Sequence, residues 1–238
     1  MAPVGLVGEM EVPFLDGTTG VSYNCAPMEA PRPYKLVVFD FDGTLADSFA
    51  WFLTVINQIA ERHGFRPIDM TRLDELRGFS GRQMMKHVDL PMWKVPSVAR
   101  EMRARMAEQA EKIPLFAGVD NLLRGLRDKG AAAAVVTSNS QENVVRILGE
   151  ENASLIHFFE CGAAMFGKKA KLRKLLKAGG VPSREVLCVG DEIRDAEAAR
   201  DAGLDFIGVS WGYTKPEALQ AHSKGALFST PEEILTVV

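Results

Sequence analysis

Cysteine is scarce in this chain of 238 residues, and the three present, Cys25, Cys161 and Cys188, are widely separated. An odd number with no C-x-x-C spacing excludes a disulfide framework and a thiolate zinc site. The four histidines, His63, His87, His157 and His222, are scattered too, so no cluster is available for a softer metal. No apolar run approaches the length that spans a membrane. Charge of either sign is nearly balanced, with a formal net of -3, which gives no electrostatic footprint for a nucleic acid or a membrane surface. A reducing cytoplasm is the expected compartment.

Periodicity is missing from residues 1–33. This stretch holds Pro3, Pro13, Pro27, Pro31 and Pro33, and it lacks the basic start and long apolar stretch of a signal peptide. It reads as a mobile extension. A weak hairpin pattern runs from Glu11 to Tyr23 with Asp16-Gly17 at its turn, and Met28 offers an alternative start.

What the chain does have is a core. Apolar residues make up 47%, enough for one large core and a smaller second module. The run Leu36-Val37-Val38-Phe39 reads as a strand buried on both faces. It stops at Asp40-Phe41-Asp42-Gly43-Thr44, so two carboxylates stand just past the carboxyl end of a strand, where open α/β sheets place their sites. Carboxylates this close repel each other, and a bound cation is the natural reason to keep the pair.

Helical spacing follows at Phe49, Phe52, Leu53, Ile56, Ile59 and Ala60, with a stop at His63-Gly64. Two short helices are expected at Leu73–Arg77 and Arg82–Val88, and a longer one at Val98–Lys112. No strand pattern occurs between Ser48 and Ile113. Strands then alternate with helices: a helix over Val119–Lys129, a strand over Ala131–Val136, and a helix over Gln141–Leu148 with Ser140 as N-cap. Short strands or turns follow at Phe158–Phe159 and Ala163–Phe166. A basic helix over Lys169–Ala178, a strand at Val186–Val189, a helix at Ala196–Ala202, a strand at Phe206–Val209 and a last helix at Pro231–Leu235 complete the pattern. This alternation predicts an α/β fold built on a doubly wound, Rossmann-like parallel sheet with an all-helical insertion.

Three further stretches carry chemistry. The strand ending at Val136 runs into Thr137-Ser138-Asn139-Ser140. Hydroxyls at a strand tip can donate to a phosphate oxygen, although such a cluster also serves as a helix cap. Gly167-Lys168-Lys169 places lysines at a helix start, where the macrodipole is already positive, so an anion should lie nearby. Val189-Gly190-Asp191-Glu192-Ile193-Arg194-Asp195 again ends a buried strand in a carboxylate, after a glycine that permits close backbone approach.

DFDGTLADS at Asp40–Ser48 resembles the first motif, DxDGT(L/V), of the haloacid dehalogenase superfamily. The remaining stretches resemble its second to fourth motifs, in family order, and the resemblance runs from Tyr34 to the C-terminus. It implies that Asp40 is a nucleophile forming an aspartyl-phosphate and Asp42 a general acid/base, both also holding Mg2+. Thr137 and Lys168 would bind the phosphate, with Ser138 and Asn139 as added donors and Lys169 as the alternative lysine. Asp191 would bind Mg2+ directly. Asp195 would act from behind it or orient Lys168, and Glu192 would add acid and cap the next helix. An oxygen-only site suits Mg2+. Haloacid dehalogenases lack an acid/base at the second aspartate, so Asp42 implies a phosphatase, with a phosphomutase or a non-catalytic scaffold as the alternatives.

In that family a helical insertion after the first strand is a cap over the active site. The division expected here is an extension at 1–33, a core at 34–50 and 114–238, and a cap at 51–113, with hinges near Ser48 and Pro114. The cap carries 11 Lys+Arg against 8 Asp+Glu, which suits an anionic substrate. Arg77, in Arg77-Gly78-Phe79-Ser80-Gly81-Arg82, is the candidate to grip a carboxylate or second phosphate. Trp211-Gly212-Tyr213 looks like the segment after the last strand in phosphoglycolate-phosphatase-like members. The expected partner is a small phosphorylated metabolite of phosphoglycolate type.

Overall fold

Leu36–Phe39 forms β1, and its position in the middle of a sheet explains why all four residues are apolar and buried. The computed structural model describes residues 33–162 and 167–238. The expected hairpin at Glu11–Tyr23, the mobile extension and the stretch Ala163–Phe166 lie outside the described residues, except for Pro33 at the extension's end. Beside β1 lie β2 (Ala132–Val136), β3 (Ile156–Glu160), β4 (Val186–Gly190) and β5 (Asp205–Gly208). All four pairings are parallel, in the order β3-β2-β1-β4-β5. The order changes direction between β1 and β4, the kind of switch point at which ligands bind in such sheets.

Alternate residues of β1 feed two cores. Leu36 and Val38 face a cluster with Leu172 and Leu175 of α7 (Lys168–Gly179) and Ala196 and Ala199 of α8 (Ile193–Ala202). Val37 and Phe39 face a second cluster with Leu122, Leu123 and Leu126 of α5 (Val119–Asp128) and Val144 of α6 (Gln141–Ser154). Helices thus cover both sides of the sheet, as parallel strands require. The second cluster continues into the helical insertion through Val55, Ile59 and Met106.

The insertion follows the sequence pattern closely. Helix α1 (Phe49–His63) ends at Gly64, whose φ of 64° is the left-handed cap conformation glycine accepts readily. Then come α2 (Leu73–Leu76), α3 (Gly81–His87) and α4 (Val95–Gln109). Ser80 and Gln83 close a capping box at the start of α3. Helix α4 begins three residues before the expected Val98, because Pro96 fits the first turn, where its missing N–H is not needed. The two connectors run side by side: Ala46 bridges Leu115, and the Asp47 N–H donates to the Pro114 carbonyl at 2.9 Å.

Helix α8 likewise begins three residues before the expected Ala196, and three other elements depart further from expectation. Helix α6 runs past Leu148 to Ser154, across a non-helical Gly149. A short helix, α9 (Pro216–Gln220), starts at a proline with no clear apolar period to announce it. The last segment, Pro231–Thr236, is a 3-10 turn and not an α-helix. It packs on α5, with Leu235 seated against Gly125.

Candidate active site

Register sets the site. Phe39 of β1 pairs with Val189 of β4 and with Val135 of β2. The chain positions just beyond are Asp40, Asp191 and Thr137, so three strands deliver these side chains to one edge. Asp40 is buried, and its Oδ1 accepts the Phe41 N–H at 2.8 Å. Asp191 is fully buried: its Oδ1 accepts from the Thr44 hydroxyl at 2.8 Å and its Oδ2 from the Tyr213 N–H at 2.8 Å. Two glycines make room for it. Gly43, at φ 83°, and Gly212 approach so closely that a Cβ on either would collide with the Asp191 side chain.

The third carboxylate of this cluster belongs to Asp195, on the first turn of α8. Asp40, Asp191 and Asp195 can each present an oxygen so that all three lie within 4.8 Å of one another. Asp42, expected beside Asp40 and Asp191 as a ligand, does not belong to this group. The chain turns at Gly43, and the Asp42 carboxylate is held by the Ser48 hydroxyl at 3.0 Å and the Asn139 amide at 3.2 Å. Glu192 caps α8 in a reciprocal box with Asp195.

Lysine placement separates the two candidates. Lys168 Nζ lies 2.9 Å from Asp40 Oδ2 and also pairs with Asp195. Lys169 turns outward to Asp201 at 3.6 Å. Thr137 is buried and its Oγ1 accepts the Asn139 N–H at 3.0 Å. The Thr137 carbonyl accepts from Lys171 Nζ at 2.6 Å. Ser138 and Asn139 line the cavity that Asp42 also lines.

These surroundings push the carboxylates apart in acidity. Burial acts to raise Asp40, but Lys168, Arg194 and the Phe41 N–H outweigh it and hold the group below the usual carboxylate range. Asp42 keeps some exposure to the cavity, yet burial, reinforced by the charge of Asp40, lifts it to about 6. Burial together with Glu192, Asp40 and Asp195 raises Asp191 well above the usual range. Asp195 is raised to about 7, by burial first and Asp40 second. Lys168 is held charged: burial disfavours the ammonium, but Asp195 and Asp40 more than compensate.

A divalent cation fits this donor set. Three buried carboxylates converge, and burial together with its acidic neighbours raises Asp191 well above the usual range. An oxygen-coordinated cation would relieve that mutual repulsion, and an all-carboxylate donor set suits one.

Arg77 lines the same cavity, but its guanidinium is engaged. Nε donates to the Tyr213 carbonyl at 2.9 Å and Nη2 to the Gly212 carbonyl at 2.8 Å, while the group stacks over Phe49. The Lys215 N–H returns a bond to the Arg77 carbonyl at 3.0 Å. Arg77 therefore ties α2 to the loop after β5. Sequence reasoning assigned no chemical role to Ser48, Tyr213 or Arg194. Ser48 orients Asp42 and is itself bonded to the Tyr213 hydroxyl at 2.9 Å. Arg194 pairs with Glu192 at 2.6 Å and faces the carboxylate cluster, leaving Nε buried without an acceptor. Arg194 sits inside the fourth motif, and a cation at that point among acids was the signal available for it.

The sequence profile of the haloacid dehalogenase-like hydrolases matches residues 37–209, which include every motif described above except Trp211-Gly212-Tyr213. The chain belongs to that family and is an enzyme of it. It is similar to the phosphoglycolate phosphatase of Synechococcus elongatus, at 32% identity over 205 residues, covering 86% of this chain and 97% of that protein. It is also similar to the N-acetylmuramic acid 6-phosphate phosphatase of Pseudomonas aeruginosa, at 28% identity over 215 residues, covering 86% and 94%. Among solved structures, a haloacid dehalogenase-like hydrolase from Streptococcus pneumoniae superposes with a TM-score of 0.69 at 17% identity, covering 85% of this chain and 97% of that one. CbbY from Rhodobacter sphaeroides, solved with phosphate, gives 0.63 at 22%, covering 84% and 96%. These structural likenesses speak to the fold.

Proposed function

We propose that this haloacid dehalogenase-like phosphatase hydrolyses a small phosphate monoester through an aspartyl-phosphate on Asp40, with Mg2+ as its cofactor. The observation that carries the reading is the split between two neighbouring carboxyls. Asp40 is held ionised, as a nucleophile must be. Asp42, at about 6, is poised to give and take a proton near neutrality.

An Asp40 oxygen attacks phosphorus, the bond from phosphorus to the ester oxygen breaks, and Asp42 gives its proton to the departing oxygen. Asp42 then accepts a proton from water as the water oxygen attacks the aspartyl-phosphate, which releases phosphate and restores Asp40. Lys168 and the Thr137 hydroxyl stabilise negative charge on the transferring group. Asp40, Asp191 and Asp195 are the side chains that would hold Mg2+, which when bound neutralises phosphate charge and orients the ester. Helices α1 to α4 act as a cap over the site, hinged at the paired connectors beside Ala46 and Leu115, and exclude water during transfer. The names of the curated relatives make phosphoglycolate the first substrate to assay. The reading places the enzyme in the cytoplasm, where the thiols Cys161 and Cys188 stay free.

The test is phosphate release from phosphoglycolate and from p-nitrophenyl phosphate with Mg2+, together with mass spectrometry of acid-quenched peptides. A phosphoryl adduct on Asp40 is expected. Turnover by folded Asp40→Asn protein, or full activity in excess chelator after metal stripping, overturns the reading.

A further inference from the structure

The space beside Asp42 has a chemistry of its own. A cavity of about 340 Å³ opens there, within the size range of small-molecule sites. Where it meets the strand ends its wall includes Asp42, Ser138, Asn139, Glu192, Arg194 and Tyr213. Elsewhere the wall comes from the helical insertion and, apart from Arg77 and Arg103, is apolar. Phe52 and Ile56 stand on α1, Phe79 before α3, Met84 on α3, and Met102 and Met106 on α4. The methionines are unbranched and adapt to irregular shapes.

Chemistry fixes what must lie in this space. The ester oxygen that Asp42 protonates has to come within hydrogen-bond reach of that carboxyl while phosphorus sits at Asp40. Whatever the oxygen carries then extends into the cavity that Asp42 lines. A charged tail would find little to meet it. Arg77 gives two of its donors to the Gly212 and Tyr213 carbonyls. Arg194 is paired with Glu192 and faces the carboxylates. Arg103, the remaining cation on the wall among the described residues, turns to the Ser138 carbonyl at 3.4 Å. An apolar tail would instead displace water from aromatic, methionine and aliphatic surface.

We infer that the leaving group of the natural substrate is apolar, an alkyl or aryl body of several carbons, and larger than a two-carbon acid. This inference rests on the monoester-hydrolysis reading above but departs from the substrate in the names of the phosphoglycolate phosphatases it is similar to.

The deciding measurement is kcat/KM with Mg2+ for methyl through hexyl phosphate, phenyl phosphate and phosphoglycolate. Each added methylene should raise kcat/KM about fourfold until the cavity is filled. Phosphoglycolate should fall below ethyl phosphate, its counterpart with a methyl group in place of the carboxylate. Ala99, on the α4 wall, supplies a second arm. In Ala99→Phe protein the gain should stop at a shorter chain. If that variant fails to fold, the wild-type series alone decides. A flat wild-type series, phosphoglycolate ahead of ethyl phosphate, or an unchanged series in folded Ala99→Phe protein overturns the inference and leaves monoester hydrolysis standing. No phosphate release from any ester overturns the hydrolysis reading itself, and this inference with it.

Discussion

The strand edge and the helical insertion solve opposite problems. At the edge, Asp40, Asp42, Asp191 and Asp195 are crowded together, and nearly every oxygen is assigned a partner: Phe41 N–H, Thr44, Ser48, Asn139, Tyr213 N–H or Lys168. The cavity wall of the insertion is mostly carbon, and what it offers is shape. Polar networks of the first kind are intolerant, because removing one member strands the others in a medium of low dielectric. Apolar walls tolerate change and shift preference gradually. On the proposed reading, chemistry resides in the region that cannot vary, and selectivity in the region that can.

The largest test of that contrast is Asp40→Asn. Loss of the nucleophile should lower turnover by about three orders of magnitude or more. Without metal, the variant should also lose stability, because the fold holds Asp40 ionised against Lys168 and Arg194. Phosphate release and a thermal melt on the same preparation measure both. A metal-free variant as stable as the wild type would mean that repulsion from the other carboxylates outweighs that pairing.

Lys168→Met comes next. It leaves Asp40 and Asp195 buried without their cation, and breaking a buried pair from one side typically costs about 3–5 kcal/mol. Lys169→Met removes only a half-exposed contact with Asp201 and should cost about 0–1 kcal/mol. Urea titrations of the two variants would separate them. Equal losses would mean that the lysines share the role.

The third test is pH. In the fold burial and the charge of Asp40 push Asp42 up to about 6, above the ordinary carboxylate range of the unfolded chain. The folded protein therefore binds a proton that the unfolded chain has already released. Stability from this source is complete below the ordinary carboxylate range and is lost as pH rises through about 6, an effect on the order of 3 kcal/mol. Asp195, at about 7, extends the loss upward. Melts of metal-free protein between roughly pH 4.5 and pH 7.5 should show the decline. Asp42→Asn should reduce it, and Mg2+ should oppose the part due to Asp191 and Asp195. An identical slope in Asp42→Asn protein would remove Asp42 as its source.

Arg77→Ala should cost less than Lys168→Met and less than the pH effect. Two charge-assisted bonds to carbonyls vanish, for about 1.5–2 kcal/mol of stability. Catalytic loss should be the same for phosphoglycolate and p-nitrophenyl phosphate, since the guanidinium binds the protein and not the substrate's acid group. A selective rise in KM for the acidic ester would restore Arg77 to substrate recognition.

Much of the fold was legible because its signals are local. Leu36–Phe39 and Val186–Val189 are apolar runs that stop at carboxylates, and α1 shows its period over fifteen residues. What escaped depends on distant partners. The Tyr213 N–H that orients Asp191 lies 22 residues away in sequence, the Asn139 that holds Asp42 lies 97 away, and the carbonyls that occupy Arg77 lie 135 and 136 away. Asp195 joined the carboxylate cluster because one helical turn carries it back over Gly190, where a Cβ would collide with it. The short α9 and the closing 3-10 turn are set by packing against the core, with Leu219 and Ile234 both buried. Neither segment is long enough for periodicity to show.

The loop from Trp211 to Lys215 faces both regions at once. Inward, the Trp211 indole N–H holds the Thr44 carbonyl at 3.1 Å and the Tyr213 N–H holds Asp191; outward, the Gly212 and Tyr213 carbonyls hold Arg77, and Lys215 pairs with Asp74 of α2. The peptide groups on either side of Tyr213 therefore report to Asp191, a proposed cation ligand, and to the insertion together. Thermodynamic linkage then requires reciprocity: whatever free energy a cation at Asp191 adds to the docked position of α2, docking of α2 returns to cation affinity.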